Sequence, residues 1–558
     1  MNFGGTLQDA VALVESGHFS QVVEAWAKAL DEQTLRERLL VLGEAFNALG
    51  KAREGLELVL RALKLDTQNI RTLCAAGEAY QGCNFLPEAF GCFYKATNLA
   101  PLEPAAWSGL GHVFLRSHKT KEALYCLQKA FEIQPANPDV SNRLGLVFLE
   151  QNNPQHAAQW FLNSIKLKPD SSHAWGNLAV AWRKSDQIQL ALRACKSALK
   201  IDPRNAANWT NLGVLHQEQN EIEEALSAYR RAIALDENFY LAHVNEGIAL
   251  LLKGDLLAGW AKYEYRWLAG ESQKQRHLKL PFWKGNESLA GKTILLHSDQ
   301  GFGDTIQCLR FVSVLLSLGA LIHIEVNPVL VAIAAQVDGV VSAVPLMQAG
   351  EAFDFQCPFL SLPFACKTTF ETLPAAVPYL HPSAQALEKW KSFEPTTGKL
   401  RVALAWRGNA EHENDRNRSL SLEALKPLLA LENCEFINLQ WGLAGAEKDA
   451  VAQLPNFRDT MPLISTFDDT AAFLTHVDLV ISVDTAVAHL AGALGKQVWI
   501  LLPFAPDWRW LLERIDSPWY PTARLFRQPT RGAWSAVVEQ IVLNLKVLVN
   551  EFTTSSGN

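Results

Sequence analysis

No long basic run occurs in the 558 residues, and 51 Lys and Arg against 58 Asp and Glu leave a formal charge of −7. A chain balanced in this way has little with which to neutralise phosphate, so no nucleic acid is expected as a partner. No two of the nine cysteines form a CxxC pair, and an odd, scattered set suits reduced thiols in a reducing compartment. No apolar stretch approaches the ~20 residues that cross a bilayer, and residues 1–30 carry no basic segment followed by an apolar one. Together these absences predict a cytoplasmic protein with no membrane span. What the chain does have is core material: 49% of its residues are hydrophobic and 20% charged, which excludes wholesale disorder. At roughly 100–200 residues per domain, the length requires three or four folding units.

A period of 34 residues organises the first half, relating Leu39, Leu73, Trp107, Ser141, Trp175, Trp209 and His243, with Ser and His the weak members. Firmer columns set Leu42, Ala76, Leu110, Leu144, Leu178 and Leu212 directly before Gly43, Gly77, Gly111, Gly145, Ala179 and Gly213. Phe46, Tyr80, Phe114, Phe148, Trp182 and His216 follow three positions on, so each unit carries one apolar helical face. A second stripe, as in Ala89-Phe93-Ala96 and Ala225-Tyr229-Ala232, has small residues that let helices approach, and Pro101, Pro135, Pro169 and Pro203 end it. These columns resemble the tetratricopeptide repeat, whose helical hairpins stack into an α superhelix. The resemblance implies repeats over 36–273 with degenerate capping helices in 1–35.

One column holds Asn177, Asn211 and Asn245 on the face expected to line the groove. An amide both donates and accepts, so such a ladder suits the backbone of an extended peptide, as in the tetratricopeptide superhelix of O-linked N-acetylglucosamine transferases. Asn also fills this position in repeats with no peptide ligand.

Beyond residue 273 the helical period stops. The strand-like run Thr293–His297 leads into Ser-Asp-Gln-Gly-Phe-Gly-Asp (298–304), a helix and a second strand, Leu321–Val326, which together read as a βαβ unit. A polar, Pro-bearing stretch near 381–398 precedes a second α/β region. There, Lys399–Trp406 reads as a buried strand followed by a polar loop, and Asp478–Val483 as a strand ending at Asp484-Thr485, which open a helix.

Gly-Phe-Gly-Asp (301–304), Trp-Arg-Gly-Asn (406–409) with His412 and Asn-Asp-Arg-Asn-Arg-Ser (414–419), and Asp-Thr-Ala-Val-Ala-His (484–489) resemble, in that order, the carboxy-terminal domain of bacterial tetratricopeptide proteins related to glycosyltransferase family 9, the heptosyltransferase group. The resemblance implies an α/β part of GT-B type with two Rossmann-like lobes. Residues 274–390 would form the first, on the acceptor side, and 391–550 the second, on the nucleotide-sugar side, with 551–558 as a flexible tail. It implies an inverting reaction with no bound metal and no cofactor beyond the nucleotide-sugar as co-substrate. Heptosyltransferases typically have Gly after the Asp-Thr pair, and Ala486 stands here instead.

Roles follow from residue chemistry. A helix start at Asp484 and Thr485 suits a diphosphate, with His489 one turn on; the same two residues would equally serve as a simple cap. Arg407, Asn409, Arg416 and Arg418 follow the Trp406 strand, where cations could neutralise a departing diphosphate or pair with Glu411, Glu413 and Asp415. Gly301 and Gly303 would bring backbone close to a ligand. The resemblance implies Asp304 as the catalytic base; its alternative role is a helix cap. Gln300 and Gln307 flank it. The expectation is a glycosyltransferase moving a sugar to a protein, peptide or surface-glycan acceptor recruited by the repeats. Its rival is a non-catalytic scaffold with degenerate transferase lobes, favoured by Ala486 and by the lack of a second acid beside Asp304. A sugar-nucleotide epimerase would explain the cleft but not the repeats.

Overall fold

The computed structural model describes residues 32–48, 51–270, 276–277, 279–348, 350, 352–393, 398–412 and 414–556. The capping helices expected in 1–35 lie almost wholly outside these residues. The chain divides into two compact units, residues 1–211 and 212–558.

The first unit is a series of helical hairpins: α1 (Glu32–Ala48) with α2 (Ala52–Leu65), α3 (Ile70–Gly82) with α4 (Leu86–Leu99), α5 (Pro104–Arg116) with α6 (Thr120–Ile133), α7 (Pro138–Glu150) with α8 (Pro154–Leu167), and α9 (Ser172–Lys184) with α10 (Ile188–Ile201). The Trp and Pro columns turn out to be one device. The Trp107, Trp175 and Trp209 indole N–H groups donate to the carbonyls of Pro101, Pro169 and Pro203 at 2.8, 3.0 and 2.9 Å, tying each hairpin to its preceding turn. A further column went unread in the sequence. Asn84, His118, Asn152, Asp186 and Asn220, with φ between 55° and 63°, and Gly254, at 97°, take the left-handed conformation at the turns inside the hairpins from α3–α4 onward. Asn, Asp and Gly are the residues that accept it most readily.

The helix α11 (Ala206–Gln217) carries the chain into the second unit, which continues with α12 (Ile222–Leu235), α13 (Tyr240–Lys253) and α14 (Leu256–Tyr263). There His243 stands in the Trp column, and its ring nitrogen bonds the Glu237 carbonyl at 3.0 Å, so the weak member keeps the bond.

Two all-parallel sheets follow. The first, β1 (Thr293–His297), β2 (Leu321–Val326), β3 (Val340–Pro345) and β4 (Phe355–Pro358), has the order β3-β2-β1-β4. The second, β5 (Leu400–Ala405), β6 (Cys434–Asn438), β7 (Phe457–Asp459), β8 (Leu479–Val483), β9 (Val498–Leu502) and β10 (Ala523–Arg527), has the order β10-β9-β8-β5-β6-β7. In register, Ile294 faces Ile322 and Phe355, and Ile481 faces Leu404 and Trp499. The β8 strand is buried at every residue, as a central parallel strand covered on both faces must be.

Helices α15 (Phe302–Cys308), α16 (Ala384–Trp390), α17 (Gly445–Ala452), α18 (Phe467–Leu474), α19 (Ala486–Ala493) and α20 (Trp534–Ser556) cover the sheets. On one face of the second sheet, Val537, Ile541 and Leu545 of α20 bury against Val402, Phe436 and Ile481. Each such side chain contributes about 1.5–3 kcal/mol of burial. Residues 551–556, read as tail, are the last turns of α20. The helix α16 belongs with α18 rather than with the first sheet: the Ser383 N–H and Lys389 donate to Asp468 and Asp469 at 2.8 and 2.7 Å, and Trp390 packs on Phe473. Among the described residues, no helix is long and apolar enough to cross a membrane.

Candidate functional site

Ligands of open parallel sheets gather at the carboxyl ends of the strands where strand order reverses. In the second sheet that point lies between β5 and β8, whose ends carry Trp406-Arg407 and Asp484-Thr485. In the first it lies between β1 and β4, and β1 leads into Ser298-Asp299-Gln300-Gly301.

The two ends meet where α15 packs directly on α19. A Cβ on Gly303 would lie 2.7 Å from His489 Cδ2, so this glycine makes room for the imidazole. It serves helix approach, where the sequence suggested approach of backbone to a ligand. Gly301 is the N-cap of α15, and its N–H donates to Asp304 Oδ2 at 2.8 Å, so Asp304 does fill the cap role. The second Asp304 oxygen accepts from Arg509 Nη2. The same guanidinium donates through Nε to Gln307 Oε1 at 2.6 Å and through Nη1 to Asp507 Oδ1 at 2.7 Å, and lies over the Trp508 ring. Burial disfavours its charge, but Asp507, Asp304 and Asp484 more than offset this and hold Arg509 protonated above its ordinary range.

On the α19 side, burial pushes the Asp484 carboxyl up, while His489 and Arg509 outweigh it and bring the group down to about 2. His489 Nε2 lies 3.6 Å from Asp484, its Nδ1 bonds the Tyr520 hydroxyl at 2.9 Å, and its ring stacks on Trp510. The Thr485 hydroxyl shares a 2.9 Å hydrogen bond with Ser482. Arg418 Nη1 donates to the Asp484 carbonyl at 3.0 Å while Nε holds Asp415. His412 is within electrostatic reach of Asp484 and Asp507; burial and Arg418 lower its pKa.

Thus Asp304, Asp484, Thr485, His489 and Arg418 come together. Arg407 turns instead to Glu447 of α17 at 2.7 Å, Asn409 accepts from the Glu411 N–H in a local turn, and Arg416 is exposed on the one-turn helix 415–418. Of the amide column, Asn177 donates to Asn142 at 3.0 Å in the first unit, and Asn211 and Asn245 are half-buried. Sequence reasoning missed Asp507 and Arg509. Their signal was Pro-Asp-Trp-Arg-Trp (506–510 being Pro506 to Trp510), a charged and aromatic run just past the buried strand β9. It also gave no role to Asp299, a buried carboxylate that feels the Asp304 charge but is held by Arg266 and the Leu360 N–H.

Residues 98–246 match the family model described as the cilia and flagella-associated protein 70 C-terminal domain, a tetratricopeptide model. With the hairpins above, the match places tetratricopeptide repeats in this chain. Protein FlbA of Caulobacter vibrioides is 25% identical over 327 residues, covering 53% of each sequence, so the chain spans about half the length of this curated relative. Among solved structures, a tetratricopeptide repeat protein from Parabacteroides merdae is 16% identical, with 44% of this chain and 97% of that one covered at a TM-score of 0.37. The APC/C hetero-tetramer Cut9-Hcn1 is 19% identical, with 45% and 50% covered at a TM-score of 0.38.

Proposed function

We propose that the chain is a nucleotide-sugar-dependent glycosyltransferase of GT-B type, inverting, with its tetratricopeptide repeats recruiting a protein, peptide or glycan-bearing acceptor. The observation that supports it best is the convergence of Asp304, beyond the carboxyl end of β1 in the first sheet, with Asp484, His489, Arg418 and Arg509 from the second. Sugar transfer requires a base for the acceptor hydroxyl and cations for the departing diphosphate. Asp304 is the candidate base. Arg509 and Arg418 are the candidate cations, beside the start of α19, where backbone N–H groups and the helix dipole favour an anion. A diphosphate arriving there competes with Asp304 for the Arg509 guanidinium, which would couple donor binding to release of the base.

The experiment is to incubate the protein with a panel of nucleotide sugars and candidate acceptors and to follow nucleoside diphosphate release, with calorimetry for donor binding. Absence of both rejects the proposal. Alternatively, the chain is a protein-binding scaffold with inactive lobes. That is favoured by the two Asp304 oxygens being engaged by Arg509 and Gly301, and by His489 filling the space over Gly303. Partner capture that survives both Asp304→Asn and Asp484→Asn, without turnover in the wild type, would select it.

A further inference from the structure

In the repeats, the second helix of a hairpin places a core residue over a glycine of the first. Phe93, Phe161 and Tyr229 are fully buried, with their rings against Gly77, Gly145 and Gly213, and the Tyr229 hydroxyl bonds Gln217 at 3.0 Å. Tyr263, at the end of α14, stands in the same column and departs from it. The matching glycine, Gly247, faces the Tyr263 backbone nitrogen instead of the ring, since a Cβ there would lie 2.8 Å from that nitrogen. The Tyr263 ring is half-buried, edge-on to Trp260 at 6.0 Å and beneath the Arg266 guanidinium at 4.8 Å. Its hydroxyl has no hydrogen-bond partner among the described residues and, unlike the Trp260 and Trp267 indole N–H groups, is not cut off from solvent.

Both neighbours of the ring lead to the site where the sheets meet. Trp260 packs edge-on against Trp508 at 4.9 Å, and the Arg509 guanidinium lies over Trp508 at 4.2 Å. Arg266 bonds Asp299 at 3.1 Å and Ser361 at 2.7 Å. The phenol therefore stands in the field of Asp304, Arg509 and Asp299. Burial pushes its pKa up, with Asp304 and Asp299 adding to the rise against Arg266 and Arg509, so it keeps its proton and serves as a donor. Neither carboxylate is its acceptor: Asp304 takes the Gly301 N–H and Arg509, and Asp299 takes Arg266 and the Leu360 N–H. An oxyanion that displaced Asp304 from Arg509 would put a negative oxygen where this phenol now faces the Asp304 charge, and hydrogen bonds to ionised acceptors are the strong ones.

We propose that Tyr263 binds the diphosphate, its hydroxyl donating to an oxygen that Arg509 also holds, so that the last helix of the repeats forms one wall of the site. That the diphosphate belongs to a nucleotide sugar rests on the transferase proposal; that Tyr263 and Arg509 share an oxyanion does not.

The test uses the full chain and calorimetry with inorganic pyrophosphate, UDP, ADP and GDP. The wild type should bind at least one of the four, and Tyr263→Phe should weaken that binding roughly tenfold, the loss of one charge-assisted hydrogen bond. Because the hydroxyl bonds nothing in the protein and phenylalanine keeps the ring between Trp260 and Arg266, the thermal midpoint should not move, as it would for a tyrosine with a structural role. Tyr265→Phe is the control: that ring stacks on His243 at 4.1 Å, and losing its hydroxyl should leave binding unchanged. The assignment is overturned if the wild type binds none of the four, if Tyr263→Phe binds as tightly as the wild type or melts early, or if Tyr265→Phe weakens binding equally. Nucleoside diphosphate release from nucleotide sugars, measured in parallel, separates the two ideas. Turnover with an indifferent Tyr263→Phe rejects this role and leaves the transferase standing. Hydroxyl-dependent binding with no turnover supports the role and rejects the transferase.

Discussion

Asp304, at the head of α15, and Arg509, just past β9, form an ion pair that joins the carboxyl ends of the two sheets. The Asp304 side chain is 24% exposed and that of Arg509 only 8%, so the cation is the more committed partner. Breaking the pair to free Asp304 leaves Arg509 with Asp507 and Gln307, whereas removing Arg509 leaves three acceptors uncompensated. On the transferase proposal, Asp304→Asn should lower turnover by roughly 100-fold or more while donor affinity is kept or raised, since the carboxylate that competes for Arg509 is gone. Arg509→Lys gives up the planar fork and should weaken donor binding about tenfold. Release assays and calorimetry on the two variants decide the matter. Wild-type turnover in Asp304→Asn would leave Asp304 as a helix cap alone.

Gly303→Ala probes the packing of α15 on α19. The added methyl meets the buried His489 ring at 2.7 Å, and that ring is fixed by Tyr520 and Trp510. Relief requires the helices to separate. The cost should be about 1–3 kcal/mol, as for other overpacked sites, read as a lower thermal midpoint. Gly301→Ala is the control: its Cβ would meet only the far end of the Asp304 side chain, at 3.2 Å, and should cost much less.

The repeats were legible because each column has one physical cause repeated at fixed spacing: Trp bonded to a turn carbonyl, an aromatic against Gly, Pro after the second helix. The left-handed residues at 84, 118, 152, 186, 220 and 254 were equally periodic, but Asn, His, Asp and Gly are not apolar, so a search for apolar columns passed over them. The strands were legible because central parallel strands read as apolar runs. The site was legible only where it sits at a strand end with a motif, as Asp484 and Asp304 do. Which way Arg407 turns depends on Glu447, forty residues on, and the Arg509 partnership depends on the meeting of two sheets; neither leaves a local pattern.

Arg310 should prove the costliest buried cation to remove. It donates to the carbonyls of Gln307, Pro374 and Trp519 at 2.9, 3.3 and 2.7 Å and to the Tyr379 hydroxyl at 3.2 Å, with the Tyr379, Trp519 and Tyr520 rings around it. Arg310→Met keeps much of the volume but strands three buried carbonyls. The expected loss is about 3–5 kcal/mol, seen as an earlier urea transition of the α/β part. A variant as stable as the wild type would mean that the cage repacks without the charge.

The stability of the second unit should fall as pH drops from about 6.5 towards 4, because of His297. Burial drives this imidazole down to about 4 from 6.5; Arg276 and His277 add to the effect, while the Gln356 bond and Glu325 oppose it. With the folded pKa below the unfolded one, the unfolded chain binds the extra proton inside that window, so stability is complete above pH 6.5 and is lost on acidification. The full effect is of the order of 3 kcal/mol. His297→Gln, which can still bond Gln356, should flatten the slope between pH 6.5 and 4. His112, also driven to about 4 by burial, Arg143 and Arg116, is present in both proteins and cancels in the comparison. Asp484 acts in a separate window: its pKa is lowered from 3.8 to about 2, so its contribution is intact above pH 4 and disappears only towards pH 2. Chemical unfolding at half-unit pH steps distinguishes the two, and an unchanged slope in His297→Gln would assign the acid sensitivity to another group.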